Sequence, residues 1–361
     1  MTSATPDVDQ NRIRETLLEL LSIPSPTGFT DEISRVVCAE LQELGVAHRL
    51  TRRGTIIAEI TGRVPHRARA VANHLDTIGA VVTDLKQNGR LALRPIGTWS
   101  SRFAEGGRVT VFTRAGNLRG QVLPLLASGH AFNEQVDQLE VSWDAVEVRV
   151  DEIVKDRSDL RELGVSRGDF VAFDPDPEVA ASGFISARHL DNKAGASALL
   201  EALRLIQQAS RPPELTFRAL FTITEEVGTG AGASLTADVE EFVGIDIGPV
   251  APGQNARESG VTLCAQDTSG PFDQHMLRHM RALCTRYDIG HQTDIYRYYY
   301  SDANSAIKAG HDVRDALITF GTDATHGYER THMDSLTSIS RLLYHYAFSD
   351  PVGGPDFNER D

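Results

Sequence analysis

Apolar residues recur at helical spacing in RIRETLLELL, which stops before Pro24, and again in DEISRVVCAELQELG, with Gly45 at its stop. That spacing predicts two amphipathic helices. TIIAEI (55–60) and ARAVANHL (68–75) then read as strands. The second is almost continuously apolar, the pattern of a strand covered on both faces. After Gly79 the rhythm changes to short alternating segments: AVVTDLKQNGRLALRPIG, GRVTVFTRAGNLRGQVLPLL, AVEVRVDE, GDFVAFDPDPEV and GFISARHL. Asn88-Gly89 and Gly116-Asn117 are hairpin-turn signals. Such spacing predicts a small β-barrel or sandwich. The α/β rhythm resumes at Asp191, with helix NKAGASALLEALRLIQQ, strands LTFRALFTIT and VEEFVGIDI, helix FDQHMLRHMRALCTRYD, helix SDANSAIKAG closed by Gly310, and strand DALITFG. The expected fold is therefore α/β: one domain made of residues 1–77 and 185–361, and an inserted all-β, barrel-like domain at 78–184.

Composition narrows the function classes. The 361 residues are 41% hydrophobic, enough for a full core. A formal net charge of -14 disfavours nucleic acid and anionic membranes as partners. Cys38, Cys264 and Cys284 are scattered and odd in number, which predicts reduced thiols rather than a disulfide framework. MTSATPDVDQNRIRE carries no apolar signal-peptide core, and no apolar run is long enough to span a bilayer. A cytoplasmic location is expected.

The candidate chemistry lies mostly where strands stop, the place where open α/β sheets put their sites. His74 and Asp76 in HLDTIG are two apart, so in a strand they share a face, and Asp76 can hold the free ring N–H of a metal-bound His74. For this pair taken alone, a solvated strand end is the better reading. Asp191 in HLDNKAG precedes a helix and reads either as an N-cap or as a carboxylate bridging two cations. Glu225 and Glu226 close an apolar strand. Adjacent carboxylates there repel and need a counter-charge; a metal on one leaves the other free as a general base. The glycine-rich GTGAGAS (228–234) lacks a P-loop lysine and reads as tight packing below the site. Asp246 is costly inside so apolar a run unless it is paired or metal-bound. His326 in DATHG and His332 in THMDSL compete for a last ligand position, and His130 is a candidate to reach a neighbouring site. No GxSxG signature or Cys–His motif occurs.

Taken in order, HLDTIG, LDNKAG, EEVGTGA, GIDIG, SDANSA and DATHG resemble the TET-type, glutamyl-aminopeptidase-like family of dinuclear metallo-aminopeptidases. The resemblance covers nearly the whole chain, β insertion included. It implies a mixed-sheet, zinc-peptidase-like catalytic domain. It also implies two divalent ions per subunit, zinc or cobalt foremost with manganese as a further candidate, about 3.5–4 Å apart. Carried over residue by residue, Asp191 bridges, His74 and Asp246 complete one metal site, and Glu226 and His326 the other. Glu225 is the general base, and Asp76 orients His74. The implied reaction removes the first residue of short peptides, and the implied assembly is a homo-oligomer of dimers that build dodecamers.

Two positions depart from the family pattern. Asp323 stands where an Arg is usual and Arg330 where a Glu is usual, with Glu329 one residue short of the latter. This charge reversal bears on the substrate pocket rather than on the metals. The ungapped register selects His326 over His332. FAEGGRVTVFT, LDNKAG and HGYERTHMDSL further resemble a subgroup encoded beside synthesis of the osmolyte N-acetylglutaminylglutamine amide, which implies an osmoprotectant context. The alternatives are an amidase or deacylase for an N-acylated dipeptide, using the same metals, and a catalytically silent scaffold.

Overall fold

A computed structural model describes residues 6–353. Its centre is a nine-stranded mixed sheet. Four strands run parallel in the order Leu215–Thr222, Val64–His74, Val239–Pro249 and Arg314–Thr322. Antiparallel neighbours extend both sides: Ile56–Ile60 and Ala47–Leu50 on one, Val261–Asp267 on the other. Residues 68–74 of the strand Val64–His74 are all buried: Ala68, Ala70, Val71 and Ala72 by apolar character, and Arg69 because it pairs with Glu241 and donates to the Tyr346 carbonyl.

Helix Leu190–Gln207 covers one face together with Gln10–Ser22 and Met333–Ala347, and their leucines, isoleucines and alanines merge with the sheet in one core. Helix Asp302–Lys308 packs on the other face, where Ala303 and Ala306 meet Ala68, Ala70 and Ala72. Small side chains on both partners let helix and sheet approach closely. Caps fall where short polar residues meet apolar runs. Asp9 accepts from the Arg12 N–H, and Asp273 from those of His275 and Met276. Asp191 does not cap its helix. Its φ/ψ of -73°/102° is non-helical and its carboxylate points elsewhere.

Six strands close into a barrel: Gly79–Leu85, Leu91–Ile96, Val146–Val150, Gly116–Pro124, Arg108–Thr113 and Phe170–Phe173. Val82, Leu91, Val109, Val111, Val122, Val148 and Val171 fill it. Asn88-Gly89 lies in the turn of a hairpin, with φ of +73° at Gly89, whereas Gly116-Asn117 opens a strand just past the turn at Arg114-Ala115, Gly116 pairing with Thr113. This stretch also holds short helices that an all-β reading does not include: Gly129–Phe132, Gln135–Gln138 and Arg157–Glu162. The last is locally encoded, since Asp156 caps it by accepting from the Ser158 and Asp159 N–H groups. Strands Glu178–Val179 and Phe184–Ala187 lie outside the barrel and form a three-stranded sheet with Glu329–His332. No described helix is long and apolar enough to cross a membrane.

Candidate metal centre

The carboxyl ends of the four parallel strands converge. His74 closes one strand and Asp246 lies near the end of the next, while Glu225 and Glu226 follow the third and His326 follows the fourth. Asp191 enters from the start of its helix and stands between two histidines. Its Oδ1 lies 3.1 Å from His74 Nε2, and its Oδ2 lies 3.5 Å from His326 Nε2. His74 Nε2 is also 3.8 Å from Asp246 Oδ1 and 3.8 Å from Glu225 Oε2, and His326 Nε2 is 3.5 Å from Glu226 Oε2. Of the two candidate histidines, His326 is the one placed beside Asp191 and Glu226. His332 instead caps helix Met333–Ala347, its Nδ1 accepting from the Asp334 N–H.

The supporting contacts differ from expectation at Asp76. The ring N–H at His74 Nδ1 meets the Asp76 backbone carbonyl at 2.8 Å, while the Asp76 carboxylate lies 3.8 Å away. The strand ends at His74, so the two-residue alternation no longer aims Asp76 beside it. The buried carboxylate accepts from Thr27 Oγ1 at 2.7 Å and from the Glu225 and Glu226 N–H groups at 3.2 and 3.3 Å. Asp76 thus holds the turn that presents the glutamate pair.

Glu329 does a similar task on the other side. It accepts from the Asp191 N–H at 3.0 Å, the His326 N–H at 2.9 Å and Thr325 Oγ1 at 3.2 Å. Asp302, from SDANSA, accepts from Thr222 Oγ1 and from the Ala231 N–H at 2.7 Å, pinning the glycine-rich loop below the site. A Cβ on Gly230 would stand 1.8 Å from Asp302 Oδ1, so only glycine fits there.

The loop after the barrel strand Leu91–Ile96 also contributes. The Thr98 carbonyl accepts from His326 Nδ1 at 3.0 Å, which leaves Nε2 facing Asp191 and Glu226. The preceding Gly97 has φ +79°, and a Cβ on it would lie 2.9 Å from Ile78 Cγ2 and 3.3 Å from Glu226 Oε2. Gly97→Val is expected to cost about 1–3 kcal/mol through strain and overpacking, and to push Glu226 aside. Urea denaturation checks the first effect and metal titration the second.

The donor set fits divalent cations. In tetrahedral geometry, N and O ligands at the usual bond lengths sit about 3.3–3.6 Å from one another, and the contacts above span 3.1 to 3.8 Å. His74, Glu225 and Asp246 form one compact donor group, and His74, Asp191 and Glu226 a second. Among the described residues no Lys or Arg pairs with these carboxylates. Glu226 Oε1 is buried without a hydrogen-bond partner. Burial pushes Glu226 up to about 8 and Asp246 up to about 6, the Asp191 charge adding to both. Burial opposes the charged His326 ring, but Glu226 and Asp191 outweigh it and hold it up at about 10. A cation resolves this crowding of like charge. Imidazole with carboxylate suits zinc, cobalt or manganese.

A cavity of about 760 Å³ opens onto the centre, lined by Thr98, Val227, Tyr298, Tyr299, Tyr300 and Lys308 among others. Neither Asp323 nor Arg330 lines it. They pair with each other through their backbones, and the Arg330 guanidinium turns to Glu258 at 2.7 Å and over the Phe184 ring. The charge reversal therefore lies off the cleft. His130 sits exposed on its short helix.

Comparison with known proteins bears on the family and the fold. The family model described as M42 glutamyl aminopeptidase matches residues 54–342. YhfE of Bacillus subtilis is 38% identical over 94% of this chain and 98% of its own length. The glutamyl aminopeptidase of Lactococcus lactis is 26% identical over 64% of this chain and 65% of its own length. Among solved structures, the TET1 peptidase of Pyrococcus horikoshii superposes with a TM-score of 0.82 at 23% identity, covering 93% of this chain and 99% of that one. A match over most of the sequence, a relative aligned end to end and a shared fold carry the same conclusion: the chain belongs to the M42 glutamyl aminopeptidase family.

Proposed function

We propose that the protein removes the N-terminal residue of short peptides at a dinuclear metal centre. The observation that supports it most is Asp191 turning one oxygen to His74 and the other to His326. His74 and Asp246 would hold one ion with Asp191, and Glu226 and His326 the other. Bound there, two divalent ions supply Lewis-acid polarisation of the scissile carbonyl and lower the pKa of water.

The protein's own groups supply the rest. Glu225 takes a proton from the attacking water and returns it to the leaving amine. Burial, with the charges of Asp246, Asp302 and Glu226 adding to it, raises Glu225 well above the ordinary carboxylate range, which makes it a stronger base. Asp76 and Glu329 hold the two loops that carry the reacting carboxylates and His326. The cavity, about 760 Å³, has room for the first residues of a peptide.

Solved relatives are described as a dodecamer and as assembling into a tetrahedron or an octahedral shell. We take this chain as a homo-oligomer on that likeness, with residues 78–184 as the inserted unit through which copies meet.

Matched short peptides, free or N-acetylated, test the reaction. Metal-loaded protein is expected to release amino acids from the free set only. Cleavage of the acetylated set would replace this reading with a deacylase and make an acylated dipeptide amide a substrate.

A further inference from the structure

The cleft has one wall that the chemistry above does not use. Residues 297–300 form a loop tied down at several points. Thr268 Oγ1 donates to the Arg297 carbonyl at 3.0 Å and accepts from the Tyr299 N–H at 2.8 Å. The Tyr299 hydroxyl donates to the Ile247 carbonyl at 2.7 Å, directly beside Asp246. Anchored in this way, the loop presents Tyr298 and Tyr300 to the cavity, 86% and 54% exposed. Val227, next to Glu226, is 51% exposed and lines the same cavity. Large side chains left this open around a cleft mark a surface meant to be covered. Lys308 is the basic side chain on this wall, its Nζ 4.3 Å above the Tyr300 ring, and Arg297 lies 5.3 Å from the Tyr298 ring.

We propose that Tyr298, Tyr300 and Val227 select the first side chain of the peptide, favouring large apolar and aromatic residues and rejecting basic ones. This rests on the aminopeptidase reading. The wall adjoins Asp246 and Glu226, so the side chain nearest the reacting carbonyl falls against it. Two rings and a valine line one cavity and offer it apolar surface, and ring-on-ring contact with an aromatic side chain adds to that burial. The cations on both rings oppose a Lys or Arg side chain. An acidic side chain gains only a solvent-exposed ion pair with Lys308, which contributes little.

The test uses metal-loaded full chain and matched amides of Phe, Leu, Ala, Glu and Lys. The kcat/KM for Phe and Leu is expected to exceed that for Ala and Lys by about 10-fold or more. Tyr300→Ala and Tyr298→Ala should each lower the Phe-to-Ala ratio several-fold, mainly through KM. Preference for Glu or Lys, or a ratio unchanged in both variants, overturns the assignment. Binding of the matched amino-acid hydroxamates is measured in parallel. If no amide is cleaved but Phe hydroxamate binds more tightly than Ala hydroxamate, and Tyr300→Ala erases the difference, the wall stands and the hydrolytic reading falls. Equal hydroxamate binding in the unmodified protein removes the wall as well.

Discussion

Glu225→Gln is expected to leave the metal content unchanged and to cut turnover by about 100- to 10,000-fold, the range associated with a positioned general base. The substitution keeps the shape of the side chain and removes its capacity to accept a proton. Metal content decides between two roles that the geometry allows. Glu225 Oε2 lies 3.8 Å from His74 Nε2, and His74, Glu225 and Asp246 are close enough together to hold an ion among themselves. A ligand changed to an amide would weaken its ion, whereas a base changed to an amide would not. Loss of one ion per subunit in the variant would make Glu225 a ligand and leave the proton transfer without an owner. Unchanged turnover would remove it from the chemistry altogether. Glu226→Gln supplies the contrast. Its Oε2 stands 3.5 Å from His326 Nε2, and metal loss is the result expected there.

The parts of this site that announce themselves in the sequence are charges in places where charge is expensive. Asp246 in VGIDI and the glutamate pair after LFTIT each demand a partner, and the structure brings them together around His74 and Asp191. The parallel core was legible in part: the small apolar residues Ala68, Ala70, Val71 and Ala72 signal a strand buried on both faces, whereas the burial of Arg69 depends on Glu241 from the neighbouring strand. Other features depend on tertiary geometry. Strand alternation predicts that the Asp76 side chain meets His74, yet the chain turns at that residue and the carbonyl makes the contact instead. The Thr98 carbonyl that orients His326 lies in the loop after the barrel strand Leu91–Ile96 and leaves no side-chain signal. The Asp323 and Arg330 reversal looks like an altered pocket in one dimension. In three dimensions their backbones pair with each other and the Arg330 side chain turns to Glu258. Glu329, one position before Arg330, makes the supporting contacts to the Asp191 and His326 N–H groups, and His326, at φ +62°, lies in a tight loop closed by the Gly327 N–H to the Ala324 carbonyl.

Asp191→Ala is expected to abolish binding of both ions at once. Its two oxygens face different histidines at 3.1 and 3.5 Å, so truncation strips a ligand from each position in one step. What remains is His74 with Asp246 on one side and Glu226 with His326 on the other, two donors apiece in the proposed assignment. Metal affinity at both positions should fall by far more than the about 10- to 100-fold typical of losing a group that only supports a ligand. Asp246→Ala is the control that separates a bridge from general damage, since it should release one ion and retain the other. Metal analysis after dialysis, with circular dichroism to confirm the fold, reads both variants. Retention of one ion in Asp191→Ala would show that the carboxylate serves a single metal and that the two oxygens face two histidines without joining two sites. Asp191→Asn sharpens the point, because an amide keeps the volume and one good donor oxygen. Partial retention in Asn, against complete loss in Ala, is the graded outcome that a bridging carboxylate requires.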